Sequence, residues 1–164
     1  MQTLTSEHAQ QKADAALVYR LEGTLADLYP IGLFPEGLRF HNDFAADIVD
    51  GPFEGGRIFG LDEFMVRPDG VGVVVAHEVV ESANTRVAFD IRGYVLPPDG
   101  MEMPPLEVLA SPGFEFPDLD FRVLATALMR TADPRFDYLN RAVVINEGTV
   151  NLGTGRLVIE ARTV

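Results

Sequence analysis

The chain has 164 residues, of which 47% are hydrophobic and 23% are charged, a composition typical of one globular domain. Asp and Glu number 25 against 13 Lys and Arg, and the resulting net charge of -12 argues against nucleic acid and anionic membrane surfaces as partners. Cysteine is absent, which excludes disulfides, thiolate nucleophiles and iron–sulfur clusters. No stretch reaches the roughly 18 apolar residues of a membrane helix, and Met1 to Ala15 lacks the apolar core of a signal peptide, so we expect a cytoplasmic protein.

The chain divides into a short N-terminal segment and one β domain. Residues 1–16 are predicted to form either a short helix, capped by Thr5 or Ser6, or a tail. Residues 17–164 are predicted to form a single domain whose first strand is Leu17 to Ala26. Four breaking residues follow within a short distance, and they predict a loop: Pro30, Gly32, Pro35 and Gly37.

Alternation of apolar and polar residues predicts the central strands. It is clearest in Leu38 to Val49, where Leu38, Phe40, Phe44, Ala46 and Ile48 share one face. Pro68-Asp69-Gly70 is a strong turn sequence, because proline presets one dihedral angle and glycine accepts a positive φ. The central strands are therefore predicted at Leu38 to Val49, Arg57 to Val66, Val71 to Val80 and Arg86 to Leu96.

The last third of the chain is predicted to hold a long loop and three more strands. Pro97 to Asp118 is rich in proline and is predicted to be a loop or lid with one helical turn near Leu106 to Leu109. Strands are predicted at Leu119 to Met129, Leu139 to Asn146 and Asn151 to Thr163. About eight strands with little helix favour an all-β fold, either an up-and-down antiparallel barrel or a sandwich.

Several short motifs, taken in order, resemble one family of small bacterial proteins. Phe53-Glu54-Gly55 leads to Gly60, Asp62 precedes Asp69-Gly70, and Asp133-Pro134 precedes Leu139-Asn140. Their order and spacing are similar to those of domain-of-unknown-function family 3237, over about Leu38 to Val164. This chain has Glu63 where that family usually has Trp, and His77-Glu78 where it often has Arg-Tyr.

The resemblance implies a calycin-like or allene-oxide-cyclase-like antiparallel barrel of about eight strands with an interior cavity. It also implies a homodimer. Some barrels of that shape are cyclases or isomerases and others carry ligands, so the fold does not decide between the two.

Strand parity indicates which polar side chains share a face with apolar ones. Asp62 shares its face with Phe64, whereas His77 shares a face with Val73, Val75 and Val79, and Glu78 points the other way. If Asp62, His77, Arg92 and Tyr94 converge in the lumen, they form a site suited to acid–base catalysis. His77 would titrate, Asp62 would act as base or orient His77, and Arg92 and Tyr94 would stabilise an oxyanion.

Each of these roles has a structural alternative. His77 could be hydrogen-bonded scaffolding, and Asp62 with Arg92 could be an ion pair. Glu78 could face solvent, and Asn140 could satisfy backbone groups beside a turn. The residues predicted to contact a ligand are Glu78, Phe64, Phe89, Arg130 and Asn140.

Two functions from different classes remain open. The first is a cofactor-independent isomerase, cyclase or lyase that acts on a small, partly apolar carbonyl compound. The second is a non-catalytic barrel that binds an apolar ligand or a protein partner. No metal site is assigned, because His41, Asp43 and Asp47 are better explained as a solvated strand face than as ligands. No phosphate-binding loop or nucleophile elbow occurs in the sequence.

Overall fold

The structure is a computed structural model that describes residues 15–25 and 28–164. Nine strands make up most of these residues. They are β1 (Leu17–Thr24), β2 (Leu28–Phe34), β3 (Gly37–Asp50), β4 (Arg57–Val66), β5 (Gly72–Ser82), β6 (Thr85–Leu96), β7 (Asp120–Arg130), β8 (Val143–Asn151) and β9 (Arg156–Thr163). The helical elements are one short turn, α1 (Leu106–Leu109), and a 3-10 segment (Pro134–Arg141).

The strands form one antiparallel sheet that closes into a barrel. The order is β1-β9-β8-β7-β6-β5-β4-β3-β2, and a further pairing of β1 with β3 joins the two ends of the sheet. Eight strands therefore make a closed barrel, and β2 is an extra strand that pairs with the first half of β3. Closure removes free edges from the eight-stranded part of the sheet.

One end of the barrel is plugged by aromatic and aliphatic side chains. The β3–β4 connection and the 3-10 segment meet there, since β3, β5 and β7 all end on that side. Phe53 is 1% exposed, and its ring centroid lies 4.5 Å from that of Phe136. Leu139 is fully buried beside them.

The opposite end is covered by the β6–β7 connection, residues 97–119, which includes α1. Leu109 is buried, and Met103 reaches the β4–β5 turn at Gly70. The backbone of Phe116 and Pro117 lies against Gly153 in the β8–β9 turn. The predicted lid over residues 97–118 therefore corresponds to a segment that crosses the mouth of the barrel.

The all-β barrel predicted from the sequence is confirmed, with three corrections to its elements. The last strand, predicted from Asn151, begins only at Arg156, because β8 continues through Gly148 to Asn151. The segment predicted as a loop around Pro30 and Gly32 contains β2, because proline is tolerated on an edge strand and the register shifts beside it. The strand predicted from Leu139 begins only at Val143, since Asp133 caps a 3-10 segment that runs to Arg141.

Two further expectations concern the N-terminal segment and the membrane. The helix or tail predicted for residues 1–16 lies almost wholly outside the described residues. Within the described part of the chain, no helix has the length and apolar character needed to cross a membrane.

Candidate functional site in the barrel lumen

The barrel encloses a cavity of about 100 Å³ whose wall is mostly apolar. Alternate residues of each strand point inward, so aliphatic and aromatic side chains from all around the barrel line it. Five polar side chains interrupt this wall: Tyr19, Asn42, Asp62, Glu78 and Asn146. Buried polar groups in an apolar lumen cost free energy unless they are paired, which makes these five the informative residues.

The strand register brings Asn42, Asp62 and Glu78 together. Asn42 of β3 lies directly opposite Asp62 of β4, and its Nδ2 donates to Asp62 Oδ2 at 3.3 Å. Glu78 of β5 lies opposite Gly60 of β4. Gly60 precedes Asp62 by two residues, so Glu78 and Asp62 point to the same face of the sheet. A Cβ on Gly60 would stand 2.7 Å from the Cα of Glu78, so glycine leaves the space that this side chain occupies.

Asp62 and Glu78 form a pair of carboxyl groups within hydrogen-bonding distance of each other. Burial raises the pKa of Glu78 well above its usual range, and the nearby charge and hydrogen bond of Asp62 raise it further. Burial also raises the pKa of Asp62, while hydrogen bonds from Glu78 and Asn42 oppose the rise. The environment therefore favours Glu78 as the protonated member and Asp62 as the ionised one.

Tyr19 and Asn146 form a second polar pair on the wall. Both lie opposite Ala161 of β9, and this small side chain lets the Tyr19 hydroxyl donate to Asn146 Oδ1 across the lumen face. Burial, and secondarily the charge of Glu78, raises the pKa of Tyr19 well above 10, so the hydroxyl stays protonated.

Two buried polar side-chain atoms of the site have no hydrogen-bond partner at their own position among the described residues. They are Oδ1 of Asp62 and Nδ2 of Asn146. Asn146 is only 2% exposed, so its unpaired amide is not satisfied by bulk solvent. An unpaired acceptor and an unpaired donor in one cavity match a ligand that offers a donor and an acceptor.

The predicted convergence of Asp62 with His77, Arg92 and Tyr94 is wrong. His77 lies on the outer face of β5, where its Nδ1 is 2.7 Å from Asp90 Oδ1 and its side chain is 59% exposed. Arg92 and Tyr94 are exposed on the outer face of β6. For His77 the cause is β5, where valines occur on both faces and parity alone cannot show which face points inward. Arg92 and Tyr94 share the outer face of β6 with the exposed Asp90.

Of the predicted ligand-contact residues, Glu78 and Phe64 line the cavity. Glu78 is 6% exposed, so the alternative in which it faces solvent is wrong. Phe89 is buried with its ring centroid 6.2 Å from that of Tyr19, but it is not part of the cavity wall. Arg130 is exposed and donates to the backbone carbonyl of Met129.

Asn140 has the structural role that the sequence analysis offered as its alternative. Its side chain accepts from the backbone N–H of Thr131 at 2.9 Å and donates to the carbonyl of the same residue at 3.0 Å. These two bonds hold the connection between β7 and the 3-10 segment, away from the lumen.

Three lumen residues were missed by the sequence analysis: Tyr19, Asn42 and Asn146. Asn42 left a signal, since it is the polar interruption in the apolar face that runs from Leu38 to Ile48. Asn146 follows the inward Val144 by two residues, but nothing in the sequence distinguishes it from a turn asparagine. No group of His, Cys, Asp or Glu suited to a metal ion occurs among residues 15–25 and 28–164.

The comparisons with known proteins agree on the fold. No family model matches the chain, and no curated protein matches its sequence. A conserved protein of unknown function from Rhodopseudomonas palustris is 18% identical with a TM-score of 0.65, covering 92% of this chain and 96% of its own.

Two further solved structures are similar to the same degree. A protein of unknown function from Clostridium acetobutylicum is 15% identical, with a TM-score of 0.69 over 92% of this chain and 99% of its own. A β-barrel-like protein from Acinetobacter baumannii is 18% identical, with a TM-score of 0.68 over 92% of this chain and 94% of its own. At these identities the likeness shows that the chain has the barrel fold of these proteins.

Proposed function

We propose that the barrel binds a small, partly apolar carbonyl compound in its lumen and catalyses proton transfer on it without a cofactor. The reaction would be that of an isomerase, cyclase or lyase. The observation that carries the proposal is the Asp62–Glu78 pair, two carboxyl groups held together in an apolar cavity. Such a pair keeps one group ionised and the other protonated, which is what acid–base chemistry requires.

The chemical step follows from the unpaired atoms of the site. Asp62 Oδ1 removes a proton from the carbon next to the carbonyl, the C–H electron pair forms a C=C bond, and the π pair of the C=O bond moves onto the carbonyl oxygen. Asn146 Nδ2 donates a hydrogen bond to that oxygen as its negative charge develops. Glu78 then delivers its proton to the enolate, which gives the product, and the proton that Asp62 took passes to Glu78, so the ionised Asp62 and the protonated Glu78 are restored.

A non-catalytic barrel is the second candidate. The observation that favours it is the wall of the cavity, where apolar side chains far outnumber polar ones. In that case the acid pair and Asn146 would orient a bound ligand rather than change it.

The test is deuterium exchange at carbon. The protein is incubated in D2O with a panel of small ketones and aldehydes, and loss of the α-proton signal is followed by NMR. Exchange above the buffer rate supports the enzyme, and it should fall at least 100-fold in Asp62→Asn and in Glu78→Gln. Glu63→Gln is the matched control, because it removes a carboxyl group from the outer face of β4. If compounds of the panel bind but none of them exchanges its α-proton, the result favours the non-catalytic barrel.

We also propose that the protein is a homodimer. The resemblance to family 3237 supports this, and so does the outer face, where Leu61, His77, Asp90 and Leu128 form one cross-strand row. Leu61 is 42% and Leu128 53% exposed, and a second copy turned by a two-fold axis can cover both apolar side chains. Light scattering on the wild type and on Leu128→Glu measures the oligomeric state. A monomeric wild-type protein would contradict the proposed homodimer.

A further inference from the structure

The cavity has an apolar end at the mouth of the barrel and a polar end deeper in the lumen. Val95 lies opposite Gly72, and Val150 lies opposite Leu157, close to the strand ends under the 97–119 segment. Leu25 follows β1 and Leu152 begins the β8–β9 turn on that same side. These residues line the mouth of the cavity. The five polar residues lie farther from the mouth along their strands.

The polar end carries negative charge without a neighbouring cation. The described residues that line the cavity include Asp62 and Glu78 but no Lys, Arg or His. A carboxylate or phosphate placed there would be buried beside the charge of Asp62 with nothing to neutralise it. An ammonium group would be attracted to Asp62, but it has no acceptor for the unpaired amide of Asn146.

We infer that the ligand of this site is an uncharged amphipathic molecule that enters head first. Its head group carries an acceptor oxygen for Asn146 Nδ2 and a donor hydrogen for Asp62 Oδ1, and its short apolar tail points to the mouth. This inference rests on the proposed function for the location of the site. It adds the charge, the polarity and the orientation of the molecule bound.

The volume of the cavity limits how much of the ligand the barrel can enclose. An engineered apolar cavity of about 150 Å³ holds the six carbons of benzene, so about 100 Å³ holds roughly four non-hydrogen atoms at the same density. A head group and about one or two methylenes therefore fill the lumen. Longer tails extend between Leu25 and Leu152 toward the segment that crosses the mouth.

The experiment compares three matched series of straight-chain compounds with two to seven carbons: primary amides, carboxylates and alkylammonium ions. Binding is measured at pH 7 by calorimetry and by shifts in backbone amide NMR signals. We expect the amides to bind at least tenfold more tightly than the carboxylates and the ammonium ions of equal length. Each added methylene should strengthen amide binding by up to about fourfold while it enters apolar surroundings.

Two variants locate the head and the tail. Asp62→Asn removes the buried negative charge, so it should reduce the difference in affinity between amides and carboxylates. Glu63→Gln on the outer face of β4 should leave that difference unchanged. Leu152→Ser should weaken the longest amides and leave the shortest ones unaffected. Carboxylates or ammonium ions that bind as tightly as amides would overturn the inference. So would failure of every series to bind, or an affinity independent of chain length.

The same samples separate this inference from the proposed function. If amides are preferred but no carbonyl compound exchanges its α-proton, the inference stands and the catalytic proposal fails. If exchange occurs but charged ligands are preferred, the catalytic proposal stands and the inference fails.

Discussion

Glu78→Gln is expected to make the protein more stable at neutral pH, although it removes a residue of the site. Glu78 is 6% exposed and faces the carboxyl group of Asp62 inside an apolar lumen. The glutamine amide has nearly the same shape, carries no charge and can donate to the Asp62 carboxylate, as the protonated Glu78 does. The substitution therefore replaces a pair of acids with one acid and one amide.

The sign of the pH dependence follows from the raised pKa values. In the unfolded chain the two groups titrate near about 3.9 and 4.3, and both pKa values are raised on folding, so the folded chain holds more protons above about pH 4. Wild-type stability consequently falls as the pH rises from about 4. The variant loses most of this slope, because the amide does not titrate and its hydrogen bond stabilises the Asp62 carboxylate.

The expected gain at pH 7 is about 1–3 kcal/mol, because folding at this pH must protonate Glu78, which is ionised in the unfolded chain, whereas the glutamine amide takes up no proton. Near pH 4 the two proteins should agree to within about 1 kcal/mol, since both acids are then largely protonated in the folded chain and only about half ionised in the unfolded one. Urea unfolding at several pH values measures the difference, with Glu63→Gln as an exposed control on β4. A Glu78→Gln variant that is less stable at pH 7 by the same amount as at pH 4 would refute the reasoning.

Three other substitutions test the packing around the site, each by urea unfolding. Tyr19→Phe should cost about 1–2 kcal/mol, because it leaves the buried Oδ1 of Asn146 without its donor; no loss would show that the bond contributes nothing. Gly60→Ala should cost about 1–3 kcal/mol and weaken ligand binding, since the new Cβ would stand 2.2 Å from a carbonyl oxygen of β5; a neutral effect would mean that β4 and β5 separate easily. Phe53→Ala should cost about 3–5 kcal/mol by opening the plugged end of the barrel; a loss below about 1 kcal/mol would contradict the plug.

The sequence predicts the barrel well because its strands are separated by residues with specific backbone roles. Arg57–Val66 begins and ends where the sequence predicts, since Gly56 and Pro68 bound it on either side. The single helical turn at Leu106–Leu109 is also confirmed. The strand β2 was missed because Pro30 and Gly32 normally break strands, and only the pairing with β3 accommodates them.

The site was harder to predict because it depends on register between strands. Asp62 was placed correctly, since Phe64 and Ile58 mark the inner face of β4. On β5 the choice between His77 and Glu78 is decided by Ala76, which lies opposite Asp62 and therefore points inward with Glu78. A one-residue error of face exchanges every side chain, so the wrong face on β5 and on β6 removed His77, Arg92 and Tyr94 from the lumen.

The most direct test of the central claim is the titration of the two carboxyl groups. Carbon-13 NMR of the side-chain carboxyls of Asp62 and Glu78, assigned with Asp62→Asn and Glu78→Gln, follows their protonation as a function of pH. The account predicts that both titrate above the usual range for carboxyl groups, that Glu78 holds its proton to the higher pH, and that removing either group shifts the titration of the other. Two independent titrations near about pH 4 would contradict a shared proton in the lumen and with it the proposed acid–base site.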